Sequence, residues 1–306
     1  MRQSNAKTNR REFLQVSVTA ATAAALPLAG CAAAATAGAA PATASGRSAT
    51  DVIEVGPEKV KMTRMAVGTG TVGGGYSSNQ LRKLGVQGVA EMWMYAYENG
   101  ITTWDTSDGY GTHPAIKIAM KNLKIPREKI TILTKTGVFN DGAKLKSDLE
   151  QFKLDMGTDY VDIILLHSRV AADWENQDKA LMDVLSEAKQ KKIVRTIGVS
   201  IHSLDVMKSA IKSKWFEMGL VRINPAGVRM DATPEEVVPL MAEMKAAGKG
   251  VIGMKVLGEG QLKDRADEAI QFALNKSPAH CFTIGCESKE EVKDNIDRIN
   301  KWGKTA

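Results

Sequence analysis

Residues 101–167 contain three short apolar runs, ITTWD (101–105), ITILTK (130–135) and VDIILLH (161–167), and each run ends on an ionisable residue. Five similar runs lie outside this stretch: MTRMAV (62–67), RTIGVS (195–200), LVRIN (220–224), VIGMK (251–255) and HCFTIG (280–285). The segments between the runs carry apolar residues at three- and four-residue spacing, which is typical of helices. Strands that alternate with helices pair in parallel, because a parallel neighbour requires a crossover. Eight such units in about 250 residues predict an α/β fold, a (β/α)8 TIM barrel over residues 51–306, with residues 51–61 forming a hairpin or plug before the first barrel strand.

The N-terminal sequence predicts an export signal and a tether. NRREFLQ (9–15) is similar to the bacterial twin-arginine signal, and the apolar stretch 16–28 is shorter than the roughly 20 residues that a membrane-spanning helix needs. LAGC ends at Cys31 and resembles a lipobox, in which this cysteine is acylated; the alternative is a small-residue cleavage site with an incidental cysteine. We expect a signal peptide over 1–30, a flexible Ala-rich tether over 31–50, and passage through the twin-arginine translocase. The mature protein is then expected to be a periplasmic or cell-envelope lipoprotein that meets the membrane only through its lipid.

Charge and cysteine content exclude some classes of partner. The formal net charge is +6, but the first thirty residues carry half of it, and acids and bases are interleaved elsewhere. No basic run with interleaved aromatic residues remains, so nucleic-acid binding is not expected. Cys281 and Cys286 flank one predicted strand, too far apart for a disulfide if that segment is extended, and are expected to be buried thiols. His113 and His202 follow predicted strand ends, but without HxH or HExxH spacing they are expected to be solvated, and no metal site is predicted.

Four polar residues are expected to meet at one end of the barrel. Asp105, Lys135 and His167 end three successive strands, and Tyr110 lies in the loop after the first of them. The C-terminal strand ends carry the active site of such barrels, and charges buried there need partners. Lys135 is expected to favour the phenolate of Tyr110 and lower its pKa, while Asp105 pairs with the lysine. His167 is expected to hydrogen-bond a substrate carbonyl. Together these roles suit protonation of a carbonyl oxygen while hydride arrives at carbon.

Six motifs occur in one order along the chain: GITTWDTSDGYG, ILTKTG, ILLHSR, GVSIHS, RINP and TIGCESKEEVKDNI. With these motifs the sequence resembles the aldo-keto reductase superfamily over residues 55–300. VIGMKVLGEG is similar to a bacterial branch whose members often carry a C-terminal iron–sulfur segment, and the leader suggests twin-arginine export. No such cysteines occur before Ala306, so no iron–sulfur cluster is expected.

The resemblance implies a catalytic tetrad of Asp105, Tyr110, Lys135 and His167, with Tyr110 as general acid. It implies a small-molecule aldehyde, ketone or sugar-derived carbonyl as substrate, and NADP or NAD without metal as cofactor. The resemblance favours NADP. The implied cofactor contacts run from the nicotinamide carboxamide through the pyrophosphate to the adenosine, and are Ser200, Asn224, Leu257, Gly258, Gly260, Ser288 and Asn295.

Several positions depart from the family pattern. Met254 or Lys255 stands where an aromatic residue usually stacks on the nicotinamide, and Ile201 stands where an asparagine usually follows the strand-five serine. Gly285 and Glu291 stand where a lysine and an arginine usually hold the 2′-phosphate of NADP. A glutamate there would repel that phosphate, so the choice of NAD or NADP stays open. The departures also leave a second class of function, a non-catalytic or altered-cofactor barrel lipoprotein acting as a binding module. A third class, a metal-dependent isomerase or hydrolase, would require bound metal.

Overall fold

The structure is a computed structural model that describes residues 47–304. The strands are β1 (Val52–Val55), β2 (Val60–Thr63), β3 (Met65–Gly68), β4 (Thr103–Asp105), β5 (Thr131–Thr136), β6 (Val161–Arg169), β7 (Val194–Ile201), β8 (Met218–Arg222), β9 (Gly250–Met254) and β10 (Cys281–Gly285). The helices are α1 (Asn79–Glu98), α2 (His113–Leu123), α3 (Gly142–Met156), α4 (Trp174–Gln177), α5 (Lys179–Gln190), α6 (Leu204–Lys212), α7 (Pro234–Ala246), α8 (Ala266–Asn275) and α9 (Lys289–Gly303).

Strands β3 to β10 close into a barrel in which each strand pairs in parallel with the next, and β10 returns to β3. Each barrel strand is followed by a helix that crosses back outside it, which is the connection that parallel pairing requires. β5 is buried at every residue, because the barrel interior covers one face and the helices cover the other. The predicted (β/α)8 TIM barrel is confirmed.

Two apolar layers hold the barrel. The larger layer lies between the strands and the surrounding helices, and includes the stacked pair Trp93 and Trp104, whose ring centroids are 5.4 Å apart. The smaller layer fills the barrel interior with side chains such as Leu133, Ile163 and Ile252. Burial of one such side chain contributes about 1.5–3 kcal/mol to the stability of the fold.

The hairpin before the barrel is present, but the first barrel strand starts later than predicted. β1 and β2 pair antiparallel in the register Val52 with Thr63. The predicted strand 62–67 is therefore wrong at its start, because its first two residues belong to β2 and the barrel strand begins at Met65. Arg64 separates the two strands, and its guanidinium lies 3.0 Å from the Asp51 carboxylate, which holds the chain at this bend.

The last four residues of the predicted tether pack on the barrel. The Arg47 N–H donates to the Gly303 carbonyl at 2.8 Å, and Ala49 is fully buried. Ser48 Oγ and the Ala49 N–H both donate to Asn300 Oδ1, at 3.0 and 2.9 Å. The predicted signal peptide, Cys31 and the remaining tether lie outside the described residues. Across residues 47–304, no helix combines the length and apolar composition needed to cross a bilayer.

Candidate active site

The strand ends bring the four predicted residues together at the mouth of the barrel. Asp105 is the last residue of β4, Lys135 is the second to last of β5, and His167 lies near the end of β6. Tyr110 ends a 3₁₀ turn (Asp108–Tyr110) that follows β4. Gly111 terminates this turn with φ of 69°, and a side chain there would lie 2.5 Å from a backbone oxygen. A glycine is required at this position, because its left-handed conformation returns Tyr110 toward the tetrad.

Asp105 and Lys135 form a buried ion pair whose remaining polar atoms are also bonded. Lys135 Nζ donates to Asp105 Oδ1 and, at 2.7 Å, to the Thr106 carbonyl. Asp105 Oδ2 accepts a hydrogen bond of 2.9 Å from Thr283 Oγ1, a contact that the sequence did not predict. Burial alone would lower the pKa of Lys135, but the Asp105 carboxylate and Tyr110 outweigh it and raise that pKa above its usual value. The ammonium therefore stays charged beside the phenol.

Tyr110 is buried between this ion pair and His167. Its hydroxyl lies 3.4 Å from His167 Nε2, and Lys135 Nζ lies 4.9 Å from the centre of its ring. Burial raises the pKa of Tyr110, and the opposing effect of Lys135 is smaller, so the pKa lies above its usual value. The predicted net lowering was wrong, because it left the cost of burying a phenolate out of account. Tyr110 is therefore a protonated acid with a cation beside it that can stabilise its conjugate base.

His167 is aimed by a bulge in β6. The register between β6 and β7 shifts between Leu166 and Arg169, and Ser168 takes φ of 58°. Bulges of this kind turn a side chain toward a site that a regular strand could not reach. Burial first, and then the positive charge of Lys135, lower the pKa of His167 to about 2. The imidazole is therefore neutral, and its Nδ1 lies 3.2 Å from Ser107 Oγ.

A second polar group beyond His167 was not predicted. The ring of His202 lies 6.2 Å from that of His167, and Arg222 donates to His202 Nδ1 and, at 2.9 Å, to Asp231. Burial and then Arg222 lower the pKa of His202 to about 3. The expectation that the two loop histidines are solvated was wrong. His113 is buried, with Nε2 2.8 Å from Thr134 Oγ1, and His202 is half-buried and bonded by Arg222. The signal available in the sequence was the arginine within the run LVRIN, a charge in an otherwise apolar predicted strand.

A cavity of about 450 Å³ extends from three of the four residues to the first turns of α9, and His167 is not part of its lining. Asp105, Tyr110 and Lys135 line it beside β10, and Glu287 and Glu291 line it where α9 begins. This volume lies in the range of small-molecule and cofactor sites. The cavity therefore runs from the phenol of Tyr110 to residues around the start of α9.

Some of the predicted cofactor residues line this cavity and others do not. Leu257, Gly260 and Asn295 line it. The other four predicted residues are not part of the lining. Ser200 is fully buried with an unpartnered hydroxyl, and Gly258 packs on Val228. Ser288 caps α9 by accepting from the Glu291 N–H at 3.1 Å, and Asn224 holds the loop after β8. The asparagine amide donates to the Val228 and Lys255 carbonyls at 2.8 and 3.2 Å, so its donors are already engaged.

The described residues offer no alternative reactive centre of metal or thiol type. Among residues 47–304 no group of three or more His, Cys, Asp or Glu side chains could hold a metal ion. Cys281 and Cys286 are free and buried, as predicted. Burial raises the pKa of each thiol to about 12, so neither forms a thiolate at neutral pH.

The chain matches the sequence model of a known protein family. The family model described as Aldo/keto reductase family matches residues 64–305. Because this match covers more than half of the chain, the protein belongs to the aldo/keto reductase family, and the predicted superfamily is confirmed.

Curated relatives resemble the chain over part of their length. An aldo-keto reductase of Mycobacterium sp. (strain MCS) is 30% identical over 192 residues, which cover 60% of this chain and 63% of that protein. Methylglyoxal reductase DkgB of Escherichia coli O157:H7 is 29% identical over 187 residues, which cover 60% and 67%. The chain thus spans about two thirds of the length of the curated relatives it matches.

Solved structures share the fold. The holo form of an aldo-keto reductase from Bacillus halodurans has a TM-score of 0.65 at 20% identity, and the match covers 81% of this chain and 90% of that one. The Bombyx mori aldo-keto reductase in complex with NADP has a TM-score of 0.59 at 18% identity, covering 82% and 92%. At sequence identities of 20% and 18%, the similarity shows that the barrel fold is shared.

Proposed function

We propose that the protein reduces the carbonyl group of a small molecule, an aldehyde, ketone or sugar-derived carbonyl, with a nicotinamide dinucleotide as hydride donor and Tyr110 as general acid. One observation carries this proposal: a protonated phenol lines the cavity between the charged Lys135 and the neutral His167. A phenol in this setting delivers a proton to an oxygen that gains negative charge, and Lys135 stabilises the phenolate that remains.

The residues present fit an extended dinucleotide. The cavity lining runs from the tetrad past Gly260, which has φ of 89° and no atom within 4 Å of where a side chain would begin, to Asn295. This glycine leaves room for a ligand to approach the loop after β9 closely. Leu257, Gly260 and Asn295 would hold the dinucleotide, which when bound supplies hydride to the carbonyl carbon.

The proton-transfer part of the proposed reaction depends on the ion pair between Asp105 and Lys135. Asp105 holds Lys135 in place, and Lys135 lowers the energy of the phenolate at the moment when the Tyr110 proton moves to the carbonyl oxygen. One hydride at carbon and one proton at oxygen convert the carbonyl to an alcohol, and a proton from solvent then restores the phenol. Proton transfer by a positioned side chain contributes about 10²- to 10⁴-fold to such a rate.

We further propose that the cofactor is NAD(H) rather than the NADP(H) that family membership favours. Glu287, Glu291 and Asp294 line the cavity around the start of α9. Lys83 pairs with Glu287 and Arg298 pairs with Asp294, so Glu291 is the carboxylate among these three whose charge is not offset by an ion pair. Carboxylates accept hydrogen bonds from a ribose 2′-hydroxyl but repel a 2′-phosphate. We expect NADH to bind at least about tenfold more tightly than NADPH, since 1.4 kcal/mol of repulsion suffices for that ratio.

The test of the reaction is a Tyr110→Phe variant with Tyr76→Phe as control. Tyr76 is 71% exposed, so its variant makes the same chemical change away from the ion pair. Tyr110→Phe is expected to reduce carbonyl turnover by about 10²- to 10⁴-fold while NADH binding, followed by protein fluorescence, is retained. Unchanged turnover would remove Tyr110 from its role. Failure to bind either nicotinamide cofactor would refute the reductase and favour a non-catalytic binding module.

The test of cofactor choice is a Glu291→Gln variant with Glu290→Gln as control. Both glutamates are exposed, but only Glu291 lines the cavity. Removing the cavity carboxylate is expected to tighten NADPH binding several-fold and leave NADH binding nearly unchanged, measured by titration calorimetry. Equal NADPH affinities in wild type and both variants would contradict the electrostatic argument.

We also propose that the protein is exported and held to the cell envelope by lipid at Cys31. The support is the leader sequence NRREFLQ followed by LAGC. Replacing Arg10 and Arg11 with lysine is expected to keep the precursor in the cytoplasm, and Cys31→Ser is expected to move the exported protein from the membrane fraction to the soluble periplasm. Unchanged fractionation of both variants would refute export by this route.

A further inference from the structure

The end of the barrel opposite the mouth is formed by the hairpin and by the segments that precede the barrel strands. Met62 of β2 packs in one apolar cluster with Met218 and Cys281, the first residues of β8 and β10. The segments that lead from each helix into the next barrel strand lie at the same end, because all eight strands are parallel. We call the hairpin segment, these connecting segments and the residue after α9 the basal face: 47–64, 99–102, 124–130, 157–160, 191–193, 213–217, 247–249, 276–280 and 304.

The basal face is basic, whereas the loops at the mouth are acidic. The basal face holds 13 lysine and arginine residues against 6 aspartate and glutamate residues, which gives a net charge of +7. The segments that lead from each barrel strand into the next helix hold 4 basic and 7 acidic residues, which gives −3. The charge of the barrel is therefore separated along its axis. The sequence does not show this separation, because the contributing segments are far apart along the chain.

Much of the positive charge on the basal face is available to a partner. Eight of its lysines are exposed and belong to none of the ion pairs formed within residues 47–304, whereas three of its carboxylates are exposed and unpaired. The free lysines lie all around the face: Lys59 and Lys61 are on the hairpin, Lys129 precedes β5, Lys192 precedes β7 and Lys276 precedes β10. Such an array attracts a surface of opposite charge.

The chain enters the barrel at this same face. The Arg47 N–H donates to the carbonyl of Gly303, the last residue of α9. Fifteen residues separate Arg47 from Cys31, and a link of this length spans at most about 50–60 Å when it is fully extended. A lipid at Cys31 would therefore keep the basal face within that distance of a bilayer.

We propose that the basal face docks on the surface of an anionic phospholipid bilayer, so that the mouth of the barrel faces away from the membrane. The lipid phosphates attract the free lysines and repel the acidic loops at the mouth, so this orientation is favoured over the reverse. The leader and the lipobox-like LAGC favour a bilayer over a nucleic acid as the partner. The proposal differs from the expectation that only the lipid meets the membrane, and it does not depend on reductase activity.

Vesicle binding by the Cys31→Ser protein tests the face without the lipid anchor. We expect this protein to sediment with vesicles of phosphatidylethanolamine and phosphatidylglycerol but not with vesicles of phosphatidylcholine. Binding to the anionic vesicles is expected to be lost in about 0.5 M NaCl, because salt screens exposed charges. Equal binding to both kinds of vesicle, or binding to neither, would overturn the proposal. Tighter binding to duplex DNA than to anionic vesicles at equal phosphate concentration would also overturn it.

Two variants of equal net charge locate the contact. Lys129→Glu with Lys276→Glu reverses two charges of the basal face, and Lys146→Glu with Lys208→Glu reverses two exposed charges on the outer helices α3 and α6. Each cation near an anionic bilayer strengthens binding about fivefold, so the basal variant is expected to lose at least about tenfold in affinity for the anionic vesicles. The helix variant is expected to bind nearly as wild type does. Equal losses in the two variants would show that net charge, and not the basal face, controls binding.

Two labelled variants report which end of the barrel faces the bilayer. Val52 on the hairpin and Val170 in the loop after β6 are 61% and 63% exposed. Cys281 and Cys286 are buried and stay protonated at neutral pH, so a fluorophore attaches to the new cysteine in Val52→Cys or Val170→Cys. With a quencher on the lipid headgroups, the label at position 52 is expected to be quenched on vesicle binding and the label at position 170 is not. Equal quenching of both labels, or stronger quenching at position 170, would refute the orientation.

Discussion

The buried ion pair of the tetrad is the strongest constraint that the site places on the stability of the barrel. The side chains of Lys135 and Asp105 are 2% and 8% exposed, so neither charge can turn to water when its partner is removed. Lys135→Met keeps the length and much of the bulk of the side chain but deletes its charge. Asp105 then keeps only the hydrogen bond from Thr283 at 2.9 Å, and the Thr106 carbonyl loses the donor that lay at 2.7 Å.

Removing one partner of a buried pair costs about 3–5 kcal/mol, because an uncompensated charge stays in a medium of low polarity. For a domain of this size 1 kcal/mol corresponds to about 2–4 °C, so the thermal midpoint of Lys135→Met is expected to fall by about 6–20 °C. Replacing both residues with apolar side chains, Asp105→Leu with Lys135→Met, is expected to restore part of this loss.

Urea unfolding followed by circular dichroism measures the three variants under one condition. Lys144→Met is the matched control, because Lys144 pairs with Asp148 one helical turn away and its side chain is 50% exposed. The control is expected to change the free energy of unfolding by no more than about 0.5 kcal/mol. The reasoning fails if Lys135→Met lies within 1 kcal/mol of wild type, or if the double variant is less stable than the single one.

Two further predictions concern the phenol and the imidazole. A side chain built at Gly70 would begin 2.4 Å from the ring of Tyr110, whereas one at Gly74 meets nothing within 4 Å. Gly70→Ala is therefore expected to displace the phenol and lower kcat at least about tenfold, with Gly74→Ala as the unaffected control; equal kcat for the two variants would contradict this. Folding lowers the pKa of His167 from 6.5 to about 2, so the unfolded chain takes up the proton first and stability falls as pH drops below 6.5. Between pH 7 and pH 5, the free energy of unfolding measured in urea is expected to fall by about 2 kcal/mol more in wild type than in His167→Gln. Equal losses in the two proteins would show that the imidazole is not buried in its neutral form.

The sequence predicted the positions that regular strands determine. Asp105 and Lys135 each stand at or next to the end of an apolar run, and the parallel register of neighbouring strands brings such ends to one rim. Tyr110 lies in the loop directly after Asp105, so its position at the same rim could also be predicted from the sequence. The alternation of strands and helices was enough to predict the closed barrel, because parallel pairing leaves few other ways to connect eight such units.

The features that the sequence did not predict depend on local departures from regular strands. LVRIN was expected to be strand throughout, but β8 ends at Arg222, so Asn224 turns into the loop and bonds its backbone instead of facing the cavity. The bulge beside His167 arises from the pairing of β6 with β7 and has no signature in the apolar run. The raised pKa of Tyr110 depends on how deeply the loop buries the phenol, which spacing along the chain does not reveal.

The contacts of the β1–β2 hairpin make the order of folding depend on the order of synthesis. Its buried residues Val55, Val60 and Met62 pack with Met218 and Cys281, and the Cys281 thiol contacts Met62 across 219 positions of the chain. Part of the apolar surface of this early segment therefore stays uncovered until the last barrel strands have been made. Contacts of such long range slow folding and leave apolar strands exposed to other chains in the meantime. A chain stopped before β10 is consequently expected to aggregate rather than to persist as a shorter barrel.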